Sequence, residues 1–182
     1  MVATNADSSR AYELFGRLEQ NAPAGWMDNR EWVHLALTHI VLLMDEDELV
    51  YAQVGLETSG GGLGSLAVFT ETSLLVARPD DADGKTVTTT LVARSAIDGL
   101  EVGGGEPIVY NPDGYESRYL VMSWPGTLTA SVSYRGLAEP VKLSGSGVSR
   151  SDRKKPGEIV ALLRALKRDL LKVSTEAGST GA

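Results

Sequence analysis

From Leu49 onward the apolar residues of this chain recur at every second position, in short runs separated by turn residues. A period of two sends successive side chains to opposite faces, which is the signature of a β-strand. The runs are 49–57, 65–70, 73–78, 86–93, 97–102, 118–124 and 128–134, with a short one at 140–143. The stretch Leu128-Thr129-Ala130-Ser131-Val132-Ser133-Tyr134 alternates strictly between apolar and small polar residues, predicting one buried and one wet face. Between the runs stand Asp83-Gly84, Asn111-Pro112-Asp113-Gly114 and Trp124-Pro125-Gly126. These supply the fixed φ of proline and the positive φ of glycine that tight turns need. Short strands joined by such turns pair as antiparallel neighbours, and βαβ units are excluded.

Helical patterns bracket this β region. Ser8 or Ser9 caps a first helix with Tyr12, Leu14, Phe15 and Leu18 as its apolar contacts, and Ala22-Pro23-Ala24-Gly25 breaks it. Asp28 is a good N-cap for a second helix, with Glu31 three residues on. Trp32, Leu35, Ala36, His39, Ile40 and Leu43 follow the spacing of one helical face, while Val33, Leu37, Val41 and Leu42 make other faces apolar. Such a helix is buried on more than one side or meets a partner. The acids Asp45 to Glu48 follow it, where the macrodipole disfavours them. A last helix is predicted over 157–173, with a stripe of Ile159, Leu163, Leu166, Leu170 and Val173 widened by Leu162. Residues 1–7 and 174–182 read as disordered ends. The domain organisation expected is a helical extension over 8–45 and a β domain closed by the last helix over 46–173.

The net charge of −7 is unevenly spread. Residues 1–149 carry 9 basic and 20 acidic side chains, whereas 150–172 carry 8 basic and 3 acidic. An acidic body argues against broad nucleic-acid binding, which rests on neutralising phosphates. The chain has no cysteine, so disulfides, thiolate metal sites and cysteine nucleophiles are excluded. The N-terminus lacks the regions of a signal peptide, and the apolar run Trp32–Met44 is shorter than the roughly 20 residues that cross a bilayer. A cytoplasmic protein is expected.

Motifs for chemistry fail one by one. His34 and His39 lie about 140° apart around a helix, so they do not chelate one metal within one chain. A calcium loop counted from Asp45 puts Val50 at position six and Leu56 at twelve; from Asp47 it puts Ala52 and Thr58 there. The Asp80–Gly84 cluster would need Pro79 and Thr90 as its first and last ligands, and reads as a hairpin turn. Gly60-Gly61-Gly62-Leu63-Gly64 has no following Lys, and Ser65 takes the place of the third glycine of a dinucleotide fingerprint, so it reads as a flexible connection. No Gly-x-Ser-x-Gly elbow is present. No cofactor and no catalytic residue is assigned, and a non-enzyme is expected.

Strands in this number followed by one amphipathic helix form the element order of the pleckstrin-homology-like fold. Asp47-Glu48-Leu49-Val50, a Gly-rich turn and then Gly64-Ser65-Leu66-Ala67-Val68-Phe69-Thr70-Glu71-Thr72-Ser73-Leu74-Leu75-Val76 resemble the opening of bacterial pleckstrin-homology-like domains. Thr70 and Leu74 would sit at the corner of the first hairpin, with Ser73 where the family usually has Arg. Leu91 to Val102 resembles the fourth strand and its turn into the fifth. The resemblance spans about 45–172 and implies an α+β, mainly antiparallel fold. That fold is a bent sheet or partly open barrel of about seven strands, closed by the C-terminal helix and here preceded by two extra helices. It implies a binding or scaffolding module, often able to self-associate, and names no ligand.

Two surfaces are candidates for binding. Trp26, Trp32, Val33, Leu37 and Val41 are the candidate protein interface, since the doubly apolar helix and its tryptophans suit an anchor; core packing is the competing reading. Arg150, Arg153, Lys154 and Lys155 are the candidate anion contact, with a solvated loop as the competing reading. Phosphoinositide-binding members of the fold usually carry their basic residues near the first hairpin, whereas 45–72 here contains no Lys or Arg. The expectation is a non-catalytic protein-interaction or self-assembly module, with a protein or a second copy as partner. The alternative is a peripheral membrane module using 150–172.

Overall fold

The period changes where the sequence says it does. The computed structural model describes residues 5–22, 27, 30–55, 64–80, 85–105, 109–110, 119–120, 125–149 and 156–179. They belong to two compact units, residues 1–96 and 97–182. In the first, α1 (Asn5–Asn21) and α2 (Glu31–Met44) precede β1 (Leu49–Gly55), β2 (Ser65–Thr70), β3 (Ser73–Pro79) and β4 (Val87–Ala93). α1 starts at Asn5, earlier than the Ser8 cap predicts, and its first turn gains Asp7, an acid where the macrodipole favours one. α2 starts at Glu31 with Arg30 as an extended N-cap whose side chain makes no capping bond. The expected cap, Asp28, lies outside the described residues.

β1 to β4 form one antiparallel sheet in sequence order. β1, β2 and β3 are buried on both faces, whereas β4 buries only Val92. Ala52, Val54, Leu66, Val68, Leu75 and Ala77 join Leu14 and Leu18 of α1 and Trp32, Val33, Ile40 and Met44 of α2 in one apolar cluster. The alternate residues Tyr51, Ala67, Phe69, Leu74 and Val76 are buried too. Tyr51 and Phe69 meet edge to face at 6.4 Å, a favoured aromatic geometry.

In the second unit β5 (Ile97–Gly104), β8 (Thr127–Tyr134) and β9 (Val141–Ser146) form an antiparallel sheet in the order β5-β8-β9. β6 (Val109–Tyr110) and β7 (Tyr119–Leu120) pair separately. Along β8 the buried residues are Ala130, Val132 and Tyr134, the alternation that the sequence predicts. α3 (Glu158–Ser179) packs on β5 and β9 and buries Ile159, Leu162, Leu163, Ala165 and Leu166. It runs to Ser179, past the predicted boundary at Val173 and into the stretch that the sequence reads as disordered. The seven expected strands, the closing helix and the two extra helices are thus present. The strands are arranged as sheets of four and three with an added two-stranded pair.

Two backbone positions are demanding. Asp45 at the C-cap of α2 has φ 49° and ψ −118°, a left-handed conformation that costs a residue with a β-carbon about 1–3 kcal/mol. Its carboxylate also sits at the negative end of the helix. Gly157 opens α3 against Ser146, whose carbonyl a β-carbon there would strike. Asp45→Gly is expected to raise stability by about 1 kcal/mol, and Gly157→Ala to lower it by about 1–3 kcal/mol. Urea unfolding followed by circular dichroism checks both; a neutral Gly157→Ala would mean that the approach relaxes without cost.

Candidate interaction face

α2 lies in the first unit with one side spent and one side open. Trp32, Val33, Ala36, Leu37, Ile40, Val41 and Met44 form its buried side. One flank meets α1, where Phe15 and His34 stack at 6.5 Å with ring planes 8° apart. The other flank meets β4, where His39 Nδ1 and Thr89 Oγ1 share a hydrogen bond of 3.2 Å. Between these flanks the helix turns apolar side chains outward, Leu35 41% exposed and Leu42 63%, and past the β4 flank, at the helix end, Leu43 is 44% exposed. Leu91 of β4, two residues from Thr89 and so on the same face of the sheet, is 48% exposed.

The two edges of the sheet differ. At β1, α1 supplies donors to the outward carbonyls. Asn21 Nδ2 donates to the Ala52 carbonyl at 2.9 Å, and Arg17 Nη1 approaches the Val50 carbonyl at 3.5 Å beside a register shift. β4 pairs with β3 on one side, and among the described residues no bond to its outer side is seen. Its seven residues, Val-Thr-Thr-Thr-Leu-Val-Ala, carry no charge and no proline. Those are the devices by which edge strands usually discourage pairing.

At the far end of the sheet, Asp47 holds the β2–β3 corner. Its Oδ2 accepts from Thr70 Oγ1 at 2.6 Å and from Thr72 Oγ1. Thr70 Oγ1 in turn accepts from the Ser73 backbone N–H at 2.9 Å. Arg94 Nη1 donates to the Thr70 carbonyl at 2.9 Å, and the Arg94 N–H donates to the Thr72 carbonyl at 2.7 Å. The Thr70 hydroxyl, with the Thr72 hydroxyl second, holds the Asp47 carboxyl below the ordinary range, against a smaller upward push from burial. A cleft of about 430 Å³ opens beside it, lined by Arg10, Glu13, Arg17, Glu46, Asp47 and Glu48 among others. Arg10 donates to the Asp45 carbonyl, and Arg17 pairs with Glu13 at 3.1 Å. An Asp held ionised is a poor general acid, so these contacts read as the fastening of α1 to the α2–β1 turn. Among the described residues no group of three or more His, Cys, Asp or Glu is placed to hold a metal.

The residues singled out in the sequence fall as follows. Trp32, Val33, Leu37 and Val41 lie in the apolar cluster of the chain itself, at most 8% exposed, whereas the exposed apolar side chains of α2 and β4 are Leu35, Leu42, Leu43 and Leu91, with Tyr12, Val102 and Leu171 exposed elsewhere. Trp26, Arg150, Arg153, Lys154 and Lys155 lie outside the described residues. The predicted stripe included Leu35 and Leu43, but the buried side of α2 is turned by most of one residue step. Leu91 has no distinguishing signal in the sequence, since only the pairing order reveals β4 as an edge.

No family model and no curated protein matches this chain. Among the solved structures that are similar are two from bacteria. One is a DUF1696 family protein with a pleckstrin-homology domain from Shewanella loihica PV-4, 15% identical, covering 77% of this chain and 93% of its own, with a TM-score of 0.38. The other is a pleckstrin homology domain from Shewanella amazonensis SB2B, 17% identical, covering 78% and 90%, with a TM-score of 0.35. Both are bacterial pleckstrin-homology proteins, as the resemblance in 47–102 implies. The likeness is one of fold, and at these scores no residue role is carried across from it.

The Asp47 corner has a pH signature. Its carboxyl is lowered in the folded chain, so its contribution to stability is complete above the unfolded value of about 3.9 and is lost as pH falls through the folded value. Asp47→Asn is expected to be less stable than the unaltered chain at pH 6 and to close part of that gap below pH about 3.9. Unfolding midpoints across that range check the sign; a gap that widens on acidification would contradict it.

Proposed function

We propose that the chain is a non-catalytic interaction module that pairs with a second copy of itself through α2 and β4. The observation that carries this reading is the asymmetry of the four-stranded sheet. α1 covers one edge with hydrogen bonds, while among the described residues none pairs with the other edge, which carries four exposed leucines beside it. Exposed apolar side chains gathered at an open edge mark an interaction site more often than scattered ones do. Charge favours a second copy as the occupant. Two chains of net charge −7 repel each other, and they approach at least cost where neither presents a charge. Residues 32–44 and 87–93 hold no Asp, Glu, Lys or Arg. An antiparallel edge is also self-complementary about a two-fold axis, the commonest symmetry of oligomers.

Light scattering after size exclusion, at two protein concentrations, tests this. The unaltered chain is expected to have twice the mass of one chain. Leu42→Glu with Leu91→Lys is expected to return it to one chain while leaving the circular dichroism spectrum unchanged. A single-chain mass for the unaltered protein at both concentrations sinks the reading, as does a dimer that survives both substitutions.

A further inference from the structure

α3 carries a face that its own unit leaves in solvent. At about 100° per residue, the buried Ile159, Leu162, Leu163, Ala165 and Leu166 occupy one side of the helix. Arg164, Lys167, Arg168 and Lys172 are exposed on the other, within an arc of about 140°. Leu171, 56% exposed, falls inside that arc. The acids Glu158 and Asp169 fall outside it by the same geometry. Among the described residues none of the four cations has an ion-pair partner.

A face kept only for solubility mixes its signs, because pairs of opposite charge along a helix stabilise it. This one is of a single sign, on a chain whose residues 1–149 are already strongly acidic. Solubility therefore does not call for the cations. Their mutual repulsion is offset when an anionic surface meets them. A leucine among them gains only if that surface offers an apolar layer beneath its charges, which a lipid bilayer does and a phosphodiester backbone does not.

We propose that this face of α3 docks on an anionic lipid surface. Arg164, Lys167, Arg168 and Lys172 meet headgroup phosphates, and Leu171 enters the interfacial layer. The contact is peripheral, since no helix among the described residues is long and apolar enough to cross a membrane. It involves neither α2 nor β4, so it stands or falls separately from self-pairing.

Sedimentation of the full chain with vesicles tests it. The chain is expected to sediment with phosphatidylcholine vesicles containing about 30% phosphatidylglycerol and to stay in solution with phosphatidylcholine alone. Partitioning is expected to fall steeply between about 0.05 and 0.5 M salt. Replacing Arg164, Lys167 and Arg168 together by Gln is expected to lower it about 100-fold. Leu171→Ala is expected to lower it about tenfold while leaving the salt dependence intact. Equal partitioning to both vesicles, no partitioning, or a triple variant that sediments like the unaltered chain overturns the proposal. Capture by duplex DNA with the vesicles left unbound overturns it as well. Should the triple variant unfold, the salt titration of the unaltered chain and Leu171→Ala decide the matter.

Discussion

A sheet with apolar residues on both faces is stable in water only when both are covered, and in the first unit α2 provides much of the cover for one of them. Trp32, Val33, Ala36, Ile40 and Met44 lie in the same cluster as Ala52, Val54, Leu66, Val68, Leu75 and Ala77. Each large side chain fully withdrawn from water contributes on the order of 1.5–3 kcal/mol. The sum over this contact exceeds the net stability of most domains. The polar contacts around it then act as fasteners. Arg10 holds the end of α2 through the Asp45 carbonyl, Asn21 ties α1 to β1, and Asp47 ties the α2–β1 turn to the β2–β3 corner. The left-handed Asp45 is a consequence, because the chain must reverse at once from a buried helix into the first strand.

The strands were legible because their signal is local. Residues 65–70 coincide with β2, and most other predicted runs differ from the observed strands by one to three residues at an end. Turn chemistry was legible for the same reason: Gly126 has φ 72°, as the Pro-Gly pair predicts. Of the run at 118–124, Tyr119 and Leu120 form β7, and the other residues lie outside the described ones. The buried side of α2 was not legible, because a helix apolar around most of its circumference has no stripe to fix its rotation. Contact with α1 through His34 and with β4 through His39 sets that rotation instead, and neither contact has a signature in one sequence. The Asp47 corner was half legible. Its threonine drew notice through the family resemblance, but the partnership of Asp47 with Thr70 and Thr72 joins residues more than twenty positions apart.

The chain separates its charges as sharply as its periods. Asp and Glu dominate residues 1–149, and Lys and Arg dominate 150–172. Such separation is costly within one small protein, since like charges crowd together that could have been interleaved. It is sustained most simply when the two signs face different surroundings. The uncharged stretches 32–44 and 87–93 make a third kind of surface.

The hydrogen-bonding groups point the same way. Thr70, Thr72 and Asp47 are engaged with one another, Arg10 and Asn21 with backbone carbonyls, and His39 with Thr89. A catalytic site requires polar groups convergent on a space that a substrate can enter, in protonation states suited to moving a proton. In the described cleft the arginines and Asp47 are turned to the chain itself, and Asp47 is held in the form that cannot give up a proton. Among the described residues, those not engaged in folding include the leucines beside β4 and the cations along α3.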